Sequence, residues 1–158
     1  MKPRIEIIEA KKLIGMSLTM SLASNRTGEL WRSFMPRRTE ISARLNNNLI
    51  ALQLYHHTHF SEFSPAREFT KWAAVEVSDF NDVPEGMQTL IVPSGQYAIF
   101  HYKGASNDTR IFDFIFREWL PSSPYQLDNR PHYEVLGEKY KNLDPSSEEE
   151  ICIPIRQS

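Results

Sequence analysis

The sequence predicts an α+β fold built from a duplicated β-α-β-β unit, in which two antiparallel half-sheets and two main helices surround a central cleft. Three observations carry this prediction. Short segments show the apolar pattern of strands, and two longer segments repeat apolar residues at helical spacing. The order of these segments then recurs after about 80 residues, a period far longer than that of solenoid repeats.

The first half begins with two predicted strands, because apolar residues dominate both Arg4–Ile8 and Leu13–Leu18. Gly15, in the middle of the second segment, indicates a bend or bulge. Possible N-cap residues at 24–27 precede a helical pattern that continues to the asparagines after Leu45, with a break expected near Pro36. Two further strands are predicted at 49–55 and 69–77.

The second half repeats this order, starting with predicted strands on both sides of a break at Pro93–Gly95. A helix follows, because apolar residues again fall on one stripe, namely Phe112, Ile115, Phe116 and Trp119. Pro121 and Pro124 close this helix. The four strands predicted in this half are 89–92, 97–102, 131–136 and 150–155.

Together these elements predict a single domain of 158 residues, with pseudo-repeats at approximately 1–80 and 85–158. Each unit alone would be a small sheet with a helix on one face, so the two halves are expected to pack together. Their junction is the natural place for a ligand cleft. The length leaves no room for an attached helix-turn-helix domain, so no DNA-binding domain is expected.

Composition and charge argue against several classes of partner. The net charge of -2 supplies no field that would attract DNA, so direct nucleic-acid binding is not expected. No apolar stretch approaches the length of a membrane span, and no membrane partner is expected. The single cysteine excludes a disulfide framework within the chain and indicates a reducing, cytoplasmic location.

Glu134 is the candidate functional residue, because it is an acid in a strand that otherwise contains mainly aromatic and aliphatic residues. One interpretation places it on a solvent-facing surface or beside a lysine. The other makes it the anionic floor of a cleft lined by aromatic rings. Such a cleft suits a flat, apolar cation, since ring faces attract the cation and a desolvated carboxylate supplies the counter-charge.

Strand alternation supplies candidates for the walls of this cleft. In the strand 69–77, Ala73 and its neighbours two residues apart are expected to face the core, while Trp72 and Glu76 share the other face. The predicted ligand-binding set is Glu134, Trp72, Tyr133, Tyr97, Tyr102 and Glu76. Only one face of each strand can line the cleft, so not all four aromatic candidates can contact a ligand. The stripe of Phe112, Phe116 and Trp119 is predicted to pack in the core.

Other reactive residues are interpreted as structural. The cluster of His56, His57 and His59 lacks a well-placed third ligand and reads as a solvated loop, so no metal and no cofactor are predicted. Cys152 lies between isoleucines in a strand, as a packed thiol does. Arginines on the first helix, Arg37 and Arg38 among them, are interpreted as part of a solvent-exposed face. Contact of this face with a protein partner is the alternative.

Several motifs carry a resemblance to a known family: Phe69–Val77 (FTKWAAVEV), Val83–Met87 (VPEGM), Val92–Phe100 (VPSGQYAIF), His132–Val135 (HYEV) and Glu149–Ile155 (EEICIPI). In their order and spacing they resemble the GyrI-like effector-binding family. This module is found at the C-terminus of AraC- and MerR-type multidrug-responsive regulators and as free-standing proteins related to the DNA gyrase inhibitor. The resemblance implies the duplicated β-α-β-β fold, a cleft between the halves and an acid at the position of Glu134 that contacts cationic ligands.

Three functions follow from these observations. The first is a stand-alone protein that binds amphipathic compounds, cationic or aromatic. The alternative is a GyrI-like hydrolase of reactive electrophiles, with Glu134 moving a proton and Tyr133 or Glu76 assisting, although no activated nucleophile is visible. The third is a gyrase-inhibitor type of protein interaction through the charged first helix. The natural ligand and the oligomeric state stay open.

Overall fold

The computed structural model describes residues 1–158, and the chain contains nine β-strands. They are β1 (Arg4–Ile8), β2 (Lys11–Met20), β3 (Leu49–Leu54), β4 (Phe69–Val77), β5 (Gln88–Val92), β6 (Gly95–Lys103), β7 (Tyr125–Leu127), β8 (His132–Leu136) and β9 (Glu148–Gln157). Eight of them form an antiparallel sheet in the order β1-β6-β9-β8-β3-β4-β2-β5, and the short β7 pairs with the end of β9. The predicted α+β class is confirmed.

Both predicted helices are present. The first consists of α1 (Thr27–Phe34) and a 3₁₀ segment (Met35–Glu40), so the α-helix ends just before Pro36, which has no amide hydrogen to donate. The helical segment stops at Glu40, short of the predicted end near Leu45. The second, α2, starts as an α-helix (Arg110–Phe114), continues through a π-helical turn (Ile115–Trp119) and ends in a last α turn (Leu120–Ser122). Neither is long and apolar enough to cross a membrane.

The strand order shows the duplication directly. The first half contributes β2-α1-β3-β4 and the second β6-α2-β8-β9, and the central strands β3 and β8 pair with each other. The edge strands are exchanged: β1 of the first half pairs with β6, and β5 of the second half pairs with β2. Each half therefore completes the sheet of the other.

The two faces of the sheet have different coverings. On one face, called here the helix face, α1 packs over β2 and β4, and α2 packs over β6 and β9. The predicted aliphatic face of the last strand lies here, with Ile151, Ile153 and Ile155 buried under α2 and its apolar stripe. A separate cluster of ten buried residues, including Leu52, occupies the opposite face.

Gly15 does not mark a bulge, contrary to the sequence prediction. The pairing of β2 with β4 runs without interruption from Lys12 to Met20. The structure needs glycine there because the two strands approach closely: a Cβ on Gly15 would lie 2.7 Å from the Cβ of Ala74. The apolar pattern of the segment was compatible with a bulge. The glycine is needed instead because the backbones of the two strands lie too close together for a side chain at this position.

Candidate functional site

Glu134 lies near the centre of the sheet, on the helix face and between the two helices. Its strand β8 pairs with β3 and β9, which places Glu134 beside Ala51 on one side and Ile151 on the other. Ala51 in turn pairs with Ala73 on β4. Two alanines in this row leave space above the sheet, and the Glu134 carboxyl is half-buried at the edge of that space.

A second acid, Glu149, lies next to Glu134 on the same face. It precedes Ile151 by two residues on β9, and its side chain is only 7% exposed. Burial raises the pKa of both carboxyl groups. The neighbouring charge of Glu134 and a hydrogen bond to it raise the pKa of Glu149 further, to about 8. The hydrogen bond between them lowers the pKa of Glu134 and raises that of Glu149, so a single proton on the pair lies chiefly on Glu149.

Lys71 is the basic residue of the cleft. It lies on β4, two residues before Ala73, and pairs across β3 with Gln53, which pairs with His132 on β8. The ammonium group of Lys71 counteracts the rise in the pKa of both carboxyl groups. Lys71 is half-buried and forms no ion pair with either of them.

Aromatic side chains enclose the space above Glu134. A cavity of about 30 Å³ remains there, lined in part by Gln53, Tyr55, Phe112, Phe116, His132 and Glu134. This volume has room for about one water molecule and not for an organic ligand. In its present conformation the cleft is therefore filled by the side chains of the protein itself.

The loop between β3 and β4 supplies the cover. Its residues Tyr55, His59 and Phe60 form what we call the aromatic lid. The ring of Phe60 stacks on Phe116, with centroids 5.0 Å apart and planes at 25°, and on His132 at 5.5 Å and 22°. Phe60 is itself 39% exposed, so it closes the cleft from the solvent side.

The imidazole of His132 is neutral in this setting. Burial lowers its pKa to about 3, and the neighbouring His59 acts in the same direction. Its ring meets Tyr55 edge-on at 5.0 Å. His132 therefore contributes an aromatic surface to the cleft and no positive charge at neutral pH.

The structure brings two of the six predicted site residues to this face. Tyr102 lies on β6 opposite Glu149, and its hydroxyl donates a hydrogen bond to the carbonyl of Ala105 at 2.9 Å. Glu134 is the other. Tyr102 is buried under α2 and does not line the cavity at Glu134.

The structure places the side chains of the other four predicted residues on the opposite face, although Tyr133 also borders the cavity at Glu134. Trp72 pairs with Leu52, which pairs with Tyr133, and all three side chains belong to the cluster behind the sheet. Tyr97 packs there against Tyr133, and its hydroxyl donates to the carbonyl of Pro131 at 2.8 Å. Glu76 accepts a hydrogen bond from Lys11 at the rim of that face. The sheet itself separates the side chains of Trp72, Tyr97, Tyr133 and Glu76 from the Glu134 carboxyl.

Sequence reasoning missed Glu149 and Lys71, although a signal for both was present. Counting back by two from Ile151 reaches Glu149, and counting back by two from Ala73 reaches Lys71. A charged residue that continues an otherwise apolar face is the kind of exception that marks a site. The aromatic lid had no such signal, because a loop has no periodicity from which contacts can be read.

The three loop histidines separate in the structure. His56 and His57 are exposed, and His56 interacts through Nδ1 with Thr58 and Arg67. His59 turns inward to the aromatic lid, where its Nδ1 is buried without a hydrogen-bond partner. Cys152 is buried behind the sheet, and burial raises the pKa of its thiol to about 12, so the thiolate needed for nucleophilic attack is scarce.

Comparison with known proteins places this geometry in a family. The chain is 29% identical over 161 residues to the transcriptional regulator BrlR of Pseudomonas aeruginosa, an alignment that covers 98% of this chain and 56% of BrlR. The chain thus spans little more than half the length of this relative.

Solved structures share the fold. SAV2435 bound to tetraphenylphosphonium superposes with a TM-score of 0.70 at 12% identity, covering 99% of this chain and 94% of that one. A hydrolase encoded by lin2189 from Listeria innocua gives a TM-score of 0.62 at 10% identity, covering 98% and 92%. Residues 1–156 match the GyrI-like small molecule binding domain, and this match confirms the predicted membership: the chain belongs to the GyrI-like family, whose relatives include transcriptional regulators.

Proposed function

We propose that this domain binds amphipathic organic cations in the cleft between α1 and α2, with Glu134 as the counter-charge. One observation carries the proposal: a half-buried carboxylate lies beside a second acid on the helix face, under a layer of aromatic rings. Desolvated charges of this kind are costly unless they are paired. A cationic ligand supplies the pairing that the chain leaves open.

The energetics suit a ligand of moderate affinity. Each aromatic face that meets the cation contributes about 0.5 to 2 kcal/mol, and the carboxylate pair adds a charge-assisted contact. Lost freedom of the ligand and of the lid offsets part of this gain. We expect a dissociation constant near the micromolar range, which corresponds to a binding free energy of about -8 kcal/mol. Stacking discriminates weakly, so the specificity is broad.

Binding requires the aromatic lid to move, since the cavity of about 30 Å³ cannot hold an organic cation. Phe60 is the residue that a ligand must displace, because its ring covers the cavity and stacks on both Phe116 and His132. A flat aromatic ligand can take over the same stacking contacts. The cost of opening is therefore partly returned by the contacts that the ligand makes.

The relatives support a ligand of this class without establishing it for this chain. SAV2435, which shares the fold, binds tetraphenylphosphonium, a lipophilic cation. BrlR is a transcriptional regulator, and this chain aligns with little more than half of it. A role in which ligand binding is communicated to a regulatory partner fits this relationship.

The test is isothermal titration calorimetry with tetraphenylphosphonium on the wild type and on Glu134→Gln. We expect Glu134→Gln to weaken binding at least tenfold, because it removes the counter-charge and keeps the size of the side chain. Glu76→Gln is the matched control: it removes a carboxylate from the opposite face and should leave the affinity unchanged. Equal affinities of the wild type and Glu134→Gln would contradict the role of Glu134, and no binding at all would contradict the function.

Hydrolysis of a reactive electrophile is the second candidate. The observation that favours it is the acid pair, because Glu149, with a pKa of about 8, holds a proton at neutral pH in a hydrogen bond to Glu134. Tyr133 and Glu76, proposed as assistants, lie behind the sheet. Turnover of strained esters and epoxides that is lost in Glu149→Gln, with tetraphenylphosphonium binding intact, would support hydrolysis. Absence of turnover across such substrates would exclude it.

The charged first helix offers no comparable support for a gyrase-inhibitor type of interaction. The guanidinium of Arg37 pairs with Glu40 at 2.8 Å and donates to the carbonyl of Glu85 at 2.7 Å. Arg38 donates to the carbonyl of Met35 at 2.6 Å. Contacts within the chain thus engage both of the arginines on which that hypothesis rests.

A further inference from the structure

The two halves of the sheet place Lys71 and Glu149 at equivalent positions. In the first half Ala51 pairs with Ala73, and in the second half Glu134 pairs with Ile151. Since β3 and β8 pair with each other through Ala51 and Glu134, an approximate two-fold axis passes near that pair. Lys71 precedes Ala73 by two residues and Glu149 precedes Ile151 by two, so the axis relates them.

The duplication therefore has opposite charges at one pair of related positions, Lys71 and Glu149. Both acids of the cleft, Glu134 and Glu149, come from the second half of the chain. In the first half, alanine takes the place of Glu134 and lysine takes the place of Glu149. The backbone of the cleft is symmetric, but its charges are distributed asymmetrically. The acidic end lies at β8 and β9, and the basic end lies at β4.

The two ends influence each other without forming an ion pair, since the ammonium group of Lys71 counteracts the rise in the pKa of both acids. The strands β4 and β9 are three strand spacings apart, which is about 14 Å along the sheet. Lys71 makes no ion pair, and Gln53 beside it is buried at the cavity wall. His132 completes that row as a neutral ring. An ammonium group and an amide thus lie together, with no carboxylate in ion-pair contact with the ammonium.

We propose that the preferred ligands are aromatic zwitterions, with the cationic group at Glu134 and Glu149 and an anionic group at Lys71. This inference rests on the proposed function and names its ligand class. The aromatic body of the ligand lies between the charged ends, in the space that Phe60 now covers. The competing role for Lys71 is an internal counter-ion that any ligand cation must displace.

The two roles for Lys71 are separated by ligands that differ in one charge. Ciprofloxacin is an aromatic zwitterion at neutral pH, and its ethyl ester keeps the ring system and the cation but lacks the anion. Calorimetry of both compounds on the wild type, Lys71→Met and Lys71→Arg measures the contribution of the anion. Lys12→Met, on the exposed part of β2, controls for the change in net charge.

We expect Lys71→Met to weaken ciprofloxacin binding about tenfold and to leave ester binding equal or tighter. Lys71→Arg should retain the preference for the zwitterion, and Lys12→Met should change neither affinity. If Lys71→Met raises the affinity for both compounds alike, Lys71 is a counter-ion and the zwitterion inference is wrong.

The failure of this inference is distinguishable from the failure of the proposed function. If the ester binds and Glu134→Gln abolishes its binding, the cation site exists whatever the result with Lys71. If the wild type binds neither compound, both the cation site and the zwitterion preference are wrong. A wild type that binds the ester at least as tightly as the zwitterion overturns the zwitterion preference alone.

Discussion

Glu134 and Glu149 lie diagonally across the adjacent strands β8 and β9, on the same face of the sheet, and burial and the hydrogen bond between them raise the pKa of Glu149. Diagonal neighbours of this kind lie close enough for long side chains to touch. Two acids that cannot both ionise freely make the cleft sensitive to pH. Stability and ligand binding should respond to that sensitivity in opposite directions.

Glu149→Gln should change how stability depends on pH. The pKa of Glu149 is about 8 in the folded protein, well above that of an unfolded glutamate, so its protonation stabilises the fold at low pH. That contribution is lost as pH rises from about 4 to about 8. We therefore expect Glu149→Gln to become progressively more stable relative to the wild type over this interval, by at most about 1.4 kcal/mol per pH unit.

Chemical denaturation at a series of pH values measures this difference. Glu148→Gln is the matched control: a hydrogen bond with His101 lowers the pKa of Glu148, so its contribution is lost only below about pH 4 and its difference from the wild type should stay nearly constant from pH 4 to 8. A difference between Glu149→Gln and the wild type that stays constant from pH 4 to 8 would show that Glu149 titrates normally.

The affinity for an organic cation should rise with pH. A bound cation favours the fully ionised pair, so binding releases the proton from Glu149. We expect the affinity for tetraphenylphosphonium to increase up to about pH 8, by at most about tenfold per pH unit, and to level off above that value. Calorimetry in buffers of different ionisation enthalpy counts the released protons. Glu149→Gln should abolish the release, and an unchanged count in that variant would assign the proton elsewhere.

Phe60→Ala should open the aromatic lid. Phe60 stacks on Phe116 and His132 but is 39% exposed, so its loss should speed ligand entry with little effect on the fold. We expect the association rate for tetraphenylphosphonium to rise several-fold in stopped-flow fluorescence. Phe63→Ala, a change to a more exposed ring of the same loop, should leave the rate unchanged. Equal rates in all three proteins would mean that the lid does not limit entry.

Gly15→Ala should destabilise the sheet. An added Cβ would lie 2.7 Å from both Cα and Cβ of Ala74, and the paired strand β4 cannot yield without disturbing its other neighbour. We expect a loss of about 1–3 kcal/mol in the free energy of unfolding, as overpacking in a core costs. Gly137→Ala meets only an ordinary contact at 3.5 Å and is the control. A smaller loss in Gly15→Ala than in Gly137→Ala would contradict this account.

The sequence predicted the fold well because its signals were local. The strand 69–77 was found at its observed limits, since alternation and β-branched residues mark it. Pro36 predicted the end of the first α-helix, because a proline has no amide hydrogen to donate. The short β7 was missed, because three residues carry no period. The π-helical turn Ile115–Trp119 was not visible in an apolar stripe that also fits an ordinary α-helix.

The site was only partly predictable, because its composition depends on which faces meet. Glu134 was found as an acid in an aromatic strand. The residues beside it depend on the register between β3 and β8, which sets Ala51 and not Leu52 opposite Glu134. A slip of one residue would have brought the row of Trp72 to the same face as Glu134. Nothing in the sequence of either strand reveals that register.

The exchanged edge strands also govern the order in which the chain can fold. Arg4 of β1 pairs with Ile99 of β6, and Ala51 of β3 pairs with Glu134 of β8, so both contacts close long loops. Loop closure of this length slows folding, and the first strand has no partner until β6 has been synthesised. During synthesis the N-terminal half therefore has an unpaired edge at β2. Truncation of the chain before β9 should leave a product that aggregates and does not form a stable half.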